Sequence, residues 1–201
     1  MARRVRHRAT AWAGFSLIEL MVVIAIILII SAMTWTQIQG TLRKAKSDTA
    51  MQTVLAQMRQ AHEQAVDRRR IYRLTFLPPR TIQLDRMDIG ANGALVAVFQ
   101  SNTVLPTEIS FLAVAGMPNQ GPEGLGVGAN AIDFSVDNGG GLNQVFFEPD
   151  GRSLDFVNRL NNGVVYMARP NDLPSVRAVS VLGATGRTKP WVITNGVWTQ
   201  P

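Results

Sequence analysis

The sequence predicts an α+β fold in which one long N-terminal helix precedes a C-terminal antiparallel β domain. Residues 15–35 form a 21-residue apolar run that contains one acidic residue, Glu19. Residues 1–70 contain two glycines and no proline, whereas residues 71–201 contain fifteen glycines and all ten prolines. Because glycine and proline interrupt regular structure, this partition indicates helix first, then short strands and turns. Several segments after residue 70 alternate apolar with polar residues, as half-buried antiparallel strands do.

The apolar run is long enough to cross a membrane. A helix of this length spans about 30 Å, which is the thickness of a bilayer core. The arginine-rich residues before it should stay in the cytoplasm, and the rest of the chain should face the periplasm. A cleaved secretory signal is disfavoured because its apolar region is normally about 7–15 residues long. A plain signal anchor does not explain Glu19, since a carboxylate deep in lipid costs roughly 2.5–3.5 kcal/mol.

The residues around Glu19 form a specific motif. A basic leader ends at Gly14, and the apolar run then begins with Phe15, Ser16, Leu17, Ile18 and Glu19. This pattern resembles the class III signal of type IV pilins and type II secretion pseudopilins. The resemblance implies that a prepilin peptidase cuts between Gly14 and Phe15 and that Phe15 is then N-methylated. An uncleaved anchor is the alternative.

The resemblance also gives Glu19 a role in filament assembly. After cleavage, Glu19 is the fifth residue of the mature chain. A carboxylate buried among bundled apolar helices must be paired, and the N-terminal amine of a neighbouring subunit is the obvious partner. Burying the Glu19 carboxylate without a partner costs free energy, and pairing it offsets that cost. The pairing should therefore set the register between subunits.

After the membrane segment, residues 36–70 should continue as an amphipathic helix. An apolar stripe recurs at steps of three and four residues, at Met51, Val54, Leu55, Met58, Ala61 and Ala65. Charged residues occupy the opposite face. We expect the stripe to pack on the C-terminal sheet structure.

Residues 71–201 should form the β domain. The predicted strands are 71–77, 81–86, 94–99, 108–112, 131–136, 144–147, 164–168 and 176–182, separated by turn-forming residues. Residues 116–128 contain five glycines and two prolines. We expect a long mobile loop or a hairpin tip there, and a loop of this length is either functional or disordered.

Two C-terminal stretches resemble one particular group within the pilin-like proteins. Residues 145–152 are predicted to form a strand that ends in a Pro-Asp-Gly turn, and residues 176–189 a strand, a glycine-flanked turn and a short basic return strand. They resemble the GspH/FimT group of minor pseudopilins and minor pilins. The resemblance implies two antiparallel sheets packed beside the helix. Residues 71–143 match no pattern of this group, and residues 190–201 extend beyond it.

The positive charge of the chain is weak support for an acidic partner. The formal net charge is +6, but the leader alone holds four arginines and no acidic residue. Without those four, 16 basic residues stand against 14 acidic ones. The overall charge therefore does not by itself indicate nucleic-acid binding.

Two local basic features remain. Arg68, Arg69 and Arg70 end the predicted helix, where cations are favoured by the helix dipole, or else contact a subunit or DNA. Arg187 and Lys189 lie in a Gly-Arg-Thr-Lys stretch that resembles the Gly-Arg-x-Arg motif of DNA-capturing minor pilins. Lysine at the last position keeps the charge but loses the planar fork of arginine. A solvated β-turn is the structural alternative for this stretch.

Residue composition argues against catalysis. There is no cysteine, and both histidines, His7 and His62, precede the β domain. Neither a thiolate site nor a histidine triad can therefore form in that domain. The acids near residues 133–138 lack the spacing of a calcium-binding loop. We predict no metal, no cofactor and no enzymatic activity.

Together, these features predict a leader over 1–14, a transmembrane helix over 15–35, a periplasmic helix over 36–70 and a β domain over 71–201. The chain is expected to be a minor pseudopilin or minor pilin near the tip of a filament. Its expected partners are the peptidase, other pilins, an inner-membrane assembly platform and lipid. DNA uptake is one alternative, and a signal-anchored periplasmic enzyme or binding protein is another.

Overall fold

The computed structural model describes residues 16–126 and 128–201, and side chains within that range except those of residues 33–39. The chain divides into two compact units, Met1–Thr41 and Leu42–Pro201. One helix, α1 (Leu17–Arg68), begins in the first unit and ends in the second. All β-strands belong to the second unit.

In the first unit, the described part of α1 is solvent-exposed. Every side chain from residue 16 to residue 32 is exposed, including large apolar ones such as Leu17 at 76% and Leu28 at 64%. Among the residues that the structure describes, no helix combines the length and the apolarity that crossing a lipid bilayer requires.

In the second unit, α1 buries the predicted apolar stripe. Its six residues, Met51, Val54, Leu55, Met58, Ala61 and Ala65, are each 3% exposed or less. The helix ends at Arg68, two residues before the end of the predicted 36–70 helix. Arg69 takes a left-handed φ of 52°, and the Arg70 amide donates to the Ala65 carbonyl at 3.2 Å. A left-handed residue after the last turn commonly ends helices in this way.

One antiparallel sheet has five strands. They are β1 (Ile71–Leu77), β2 (Thr81–Ile89), β3 (Leu95–Val104), β6 (Gln144–Phe147) and β7 (Ser153–Leu154), in the spatial order β3-β2-β1-β6-β7. The predicted bounds of β1 and β6 are confirmed. In contrast, β3 extends five residues beyond its predicted end, because a bulge opposite Leu84 and Asp85 lets pairing with β2 continue.

The second sheet is also antiparallel. Its strands are β4 (Ser110–Phe111), β5 (Ile132–Phe134), β8 (Gly163–Arg169), β9 (Asp172–Leu182), β10 (Arg187–Thr194) and β11 (Val197–Thr199). Their spatial order is β11-β10-β9-β8-β4, and β5 also pairs with β8. The predicted fold class, a long helix on a two-sheet antiparallel β domain, is confirmed.

The hydrophobic core lies between α1 and the two sheets. The helix stripe packs with Tyr72 and Phe76 of β1, Phe134 of β5 and Val179 of β9, and all four are fully buried. Side chains alternate between the two faces of β1, so Tyr72, Leu74 and Phe76 all point to one face and enter this core. Burial of each large apolar side chain contributes about 1.5–3 kcal/mol.

Ion pairs also tie α1 to the second sheet. The Arg177 guanidinium, with a side chain 5% exposed, donates from Nε to Oδ1 of Asp48 at 2.7 Å. Glu108 accepts from Lys46 at 2.5 Å and also pairs with Arg169. These charged contacts fix the position of residues 46–48 on the β domain.

Candidate functional site

The predicted cleavage and methylation site lies outside the described residues. The leader, Gly14 and Phe15 all precede residue 16, so their placement stays a prediction. Glu19 is described and lies in the first turn of α1. Its exposed side chain is at the helix end where the dipole favours negative charge.

The carboxylate of Glu123 holds Arg187 and Lys189, which lie at the start of β10. Glu123 forms an ion pair with Lys189, and Nη2 of Arg187 lies 3.7 Å from the same carboxylate. The Ser180 hydroxyl donates to Glu123 at 3.2 Å. The Lys189 ammonium also lies 5.6 Å from the centre of the Trp191 ring. Lys189 is therefore neutralised within the fold, while Arg187 keeps 55% of its side chain exposed.

Glu123 belongs to the glycine-rich stretch 116–128, whose residues around the turn at Pro122 pack against the second sheet. The flanking strands β4 and β5 each pair with β8 and not with each other, so the expected hairpin tip is not observed. A 3₁₀ turn, Pro122–Gly124, contacts β9, and Pro122 is buried. The Trp198 indole donates to the Gln120 carbonyl at 3.1 Å. A Cβ at Gly121 would lie 1.7 Å from the Leu125 carbonyl oxygen, so only glycine fits this turn. Composition does not reveal these tertiary contacts, and the expected mobility of the stretch stays a prediction.

The Gly186 backbone meets α1 and the β6–β7 turn. A Cβ on Gly186 would lie 2.4 Å from the Gly151 carbonyl oxygen and 2.7 Å from Cδ2 of His62. Nε2 of His62 and that carbonyl oxygen are 3.0 Å apart. The glycine of the Gly-Arg-Thr-Lys stretch therefore has a packing role, and this supports the structural interpretation of the stretch.

The arginines at the end of α1 form a separate cluster. Nη1 of Arg68 donates to the Tyr72 hydroxyl at 3.3 Å, and Arg68 and Arg70 line an open surface cavity with Arg86. Hydrogen bonds from the Arg86 guanidinium hold the pKa of Asp88 below its ordinary value. Among the described residues, no hydrogen bond or ion pair joins this cluster to Arg187 or Lys189. DNA contact at either cluster, including Arg69, stays a prediction.

The acidic side chains near residue 133 accept hydrogen bonds from neighbouring loop residues. Oδ1 of Asp133 accepts from the Gly141 amide at 2.7 Å, and Asp137 accepts from the Asn162 side chain. Within residues 16–126 and 128–201, no three histidine, aspartate or glutamate side chains are grouped as metal ligands.

Sequence reasoning missed one surface, the turn between β7 and β8. Phe156, Val157 and Leu160 are 58%, 49% and 42% exposed there. The buried Asp155 carboxylate holds the turn by accepting from the backbone amides of residues 157 and 159, each at 2.9 Å, and from the Ser135 hydroxyl at 3.1 Å. An aspartate at the start of a turn is a signal for this local geometry. It does not reveal that apolar residues will be held exposed.

Hydrogen bonding sets the ionisation of Asp155. Burial acts to raise the pKa of this carboxyl, but the amides of Arg159 and Val157, the Ser135 hydroxyl and the Arg159 guanidinium outweigh it and lower the pKa. A lowered pKa in the folded state means that the ionised group stabilises the fold above its unfolded-state pKa of about 3.9. This contribution is lost as the pH falls below about 4 and through the folded-state pKa.

Asp155→Ala is expected to lower the free energy of unfolding by about 2–4 kcal/mol at neutral pH, because it leaves the buried Ser135 hydroxyl and two partly buried turn amides without their acceptor. Chemical denaturation of the full chain in detergent measures this. Asp150→Ala, which removes an exposed pair with Arg152, is the matched control and should cost at most about 1 kcal/mol. Equal losses in the two variants would contradict the role of the buried carboxylate.

Comparison with known proteins identifies the N-terminal motif. Residues 13–35 match the family model of the prokaryotic N-terminal methylation motif. The predicted resemblance of this segment to prepilins is confirmed, and the chain is pilin-like at its N-terminus. The sequence comparison with curated proteins gives no match.

One solved structure shows limited similarity. It is the crystal structure of the type IV minor pilin FimU from Pseudomonas aeruginosa (strain PAO1), with a TM-score of 0.47 and 12% sequence identity. The alignment covers 78% of this chain and 95% of that one.

Proposed function

We propose that this pilin-like chain is a prepilin that is processed and then assembles as a minor pilin or minor pseudopilin. The match of residues 13–35 to the methylation motif carries the proposal, because this segment contains Gly14, Phe15 and Glu19 in the order that processing and assembly use. The role is structural and needs no catalytic group. The GspH/FimT group is the one that residues 145–152 and 176–189 resemble.

The proposal includes a stage in the inner membrane. Before assembly, residues 15–35 anchor the precursor, with the arginine-rich leader in the cytoplasm and the β domain in the periplasm. The exposed apolar side chains of residues 17–30 support this, because such a surface needs lipid or other apolar helices around it. The lipid bilayer is therefore the first partner, followed by the peptidase and the assembly platform.

Glu19 then selects the position of the chain in the filament. Among apolar helices, its carboxylate is stabilised only when a cation pairs with it, and cleavage creates an N-terminal amine on each mature subunit. A minor subunit placed near the tip would use the same pairing as the other pilins. A secretion ATPase and secretin encoded beside it would assign the filament to type II secretion, and a retraction ATPase would assign it to a type IV pilus.

The N-terminus of the protein in cells tests the proposal. We expect mass spectrometry of membrane-extracted protein to show a chain that begins at Phe15 and carries one added N-methyl group. The same protein made in cells without the peptidase provides the control and should begin at or near Met1. An N-terminus at Met1 in cells that contain the peptidase would overturn the proposal.

A further inference from the structure

The outer edge of the first sheet is long and unprotected. Strand β3 pairs with β2 on one side, and no other strand of the described chain pairs with its other side. It has ten residues, whereas the end strands β7 and β4 have two and β11 has three. Proteins usually protect edge strands by shortness, charge or proline, and β3, with the sequence LVAVFQSNTV, has none of these.

The hydrogen-bond pattern of the β2–β3 hairpin shows which backbone groups of β3 face the open edge. The Gly90 amide donates to the Ala94 carbonyl at 2.8 Å, so alternate residues from Ala94 onward face β2. Val96 and Val98 therefore direct their backbone groups towards β2. Leu95, Ala97 and Phe99 direct theirs to the open edge. Another extended strand can replace water as the partner of such a row.

The side chains beside this row are apolar and exposed. Leu95 and Phe99 are 50% and 57% exposed, and both lie on the same face as Ala97. Ile89, opposite Leu95 in the register, is 71% exposed on that face. The edge thus offers apolar side chains next to backbone groups that no other strand of the described chain pairs.

We propose that β3 pairs antiparallel with β3 of a second copy of this chain, about a two-fold axis at Ala97. In this register Leu95 of each copy lies opposite Phe99 of the other, and the two small Ala97 side chains meet at the axis. The strand carries no charge, so self-pairing brings no like charges together. A two-fold pair also closes the edge, because each copy uses the same strand. This proposal does not depend on the membrane or filament role.

Gln100 limits the paired segment. It is the extra residue of the β3 bulge, since Ser101 pairs with Leu84 and Phe99 pairs with Asp85. Its side-chain amide donates to the Phe99 carbonyl at 3.1 Å. The self-pairing therefore covers residues 95–99, and the Gln100 side chain must release or share the Phe99 carbonyl when the second strand docks.

Because the chain has no cysteine, single-cysteine variants of the full chain test the pairing directly. Directly paired residues at the axis have Cα atoms about 5.5 Å apart, which is within the range of a disulfide. We expect purified Ala97→Cys in detergent to give a disulfide-linked dimer on mild oxidation. Val197→Cys is the matched control, since this residue is 58% exposed on β11, an edge strand of the second sheet. Its dimer yield should be at least about tenfold lower.

A second variant separates strand pairing from association through the apolar helix. Phe99→Lys added to Ala97→Cys should lower the dimer yield at least about tenfold, because it places a charge on the paired edge. Circular dichroism checks that this exposed position leaves the fold intact. Equal crosslinking of Ala97→Cys and Val197→Cys, or undiminished crosslinking with Phe99→Lys, would overturn the proposal. So would exclusive linkage of the Ala97→Cys variant to a different protein in cells.

Discussion

Gly14→Glu is expected to leave the chain as an uncleaved precursor. The peptidase must reach the carbonyl of residue 14, and glycine leaves that carbonyl unhindered, whereas a bulky charged side chain blocks the approach. We expect cleavage to slow at least about 100-fold, equivalent to a barrier about 2.7 kcal/mol higher. Because the amine at Phe15 is not formed, methylation and the pairing of that amine are lost as well.

Pulse labelling followed by gel separation of precursor and mature chain measures this effect. Gly14→Ala is the matched control, since a methyl group should allow slow cleavage. A precursor-to-mature ratio that is the same for Gly14→Glu and the natural chain would contradict the assigned cleavage site. Both variants should still reach the membrane, because the apolar run and the leader arginines are unchanged.

Glu19→Val is expected to leave cleavage and membrane insertion largely intact but to prevent most incorporation into the filament. Valine retains apolar packing between helices, while the carboxylate that pairs with a neighbouring amine is lost. Removing one member of a buried pair costs about 3–5 kcal/mol, because the other charge stays buried alone. At about 1.4 kcal/mol for each factor of ten, incorporation should fall at least about 100-fold.

Crosslinking to other pilins, together with recovery in sheared filaments, measures incorporation. Glu63→Val is a suitable control, because it removes an acid from the same helix within the second unit. Normal crosslinking and full filament recovery with Glu19→Val would remove the charge-pair argument. Loss of the mature chain from the membrane would instead assign Glu19 to processing or insertion.

Local patterns were sufficient to predict the main elements. The three- and four-residue spacing from Met51 to Ala65 predicted the buried face of α1, because helical periodicity alone decides which residues share a face. Alternation with the following Pro78-Pro79 predicted β1, and the nearby Pro-Asp-Gly turn helped to bound the short apolar strand β6. The prepilin-like motif was also readable, since its chemistry depends on consecutive residues.

Contacts between distant residues were not predictable in this way. Asp48 and Arg177 are 129 positions apart, and Glu123 and Lys189 are 66 apart. Composition suggested a mobile loop at Glu123, but the structure shows a carboxylate held by two cations and a hydroxyl. The basic turn near residue 187 therefore looked available to a ligand in the sequence, whereas in the fold one of its cations is already paired.

By itself, the sequence determined the anchor-like N-terminal run with Glu19, the helix stripe and the β character of the second half, because each follows from the order of neighbouring residues. Only the tertiary structure decided that β3 is an open edge and that Asp155 holds an apolar turn in solvent. Strand order and burial depend on which distant segments pair, and a strand has the same local pattern at the centre of a sheet as at its edge.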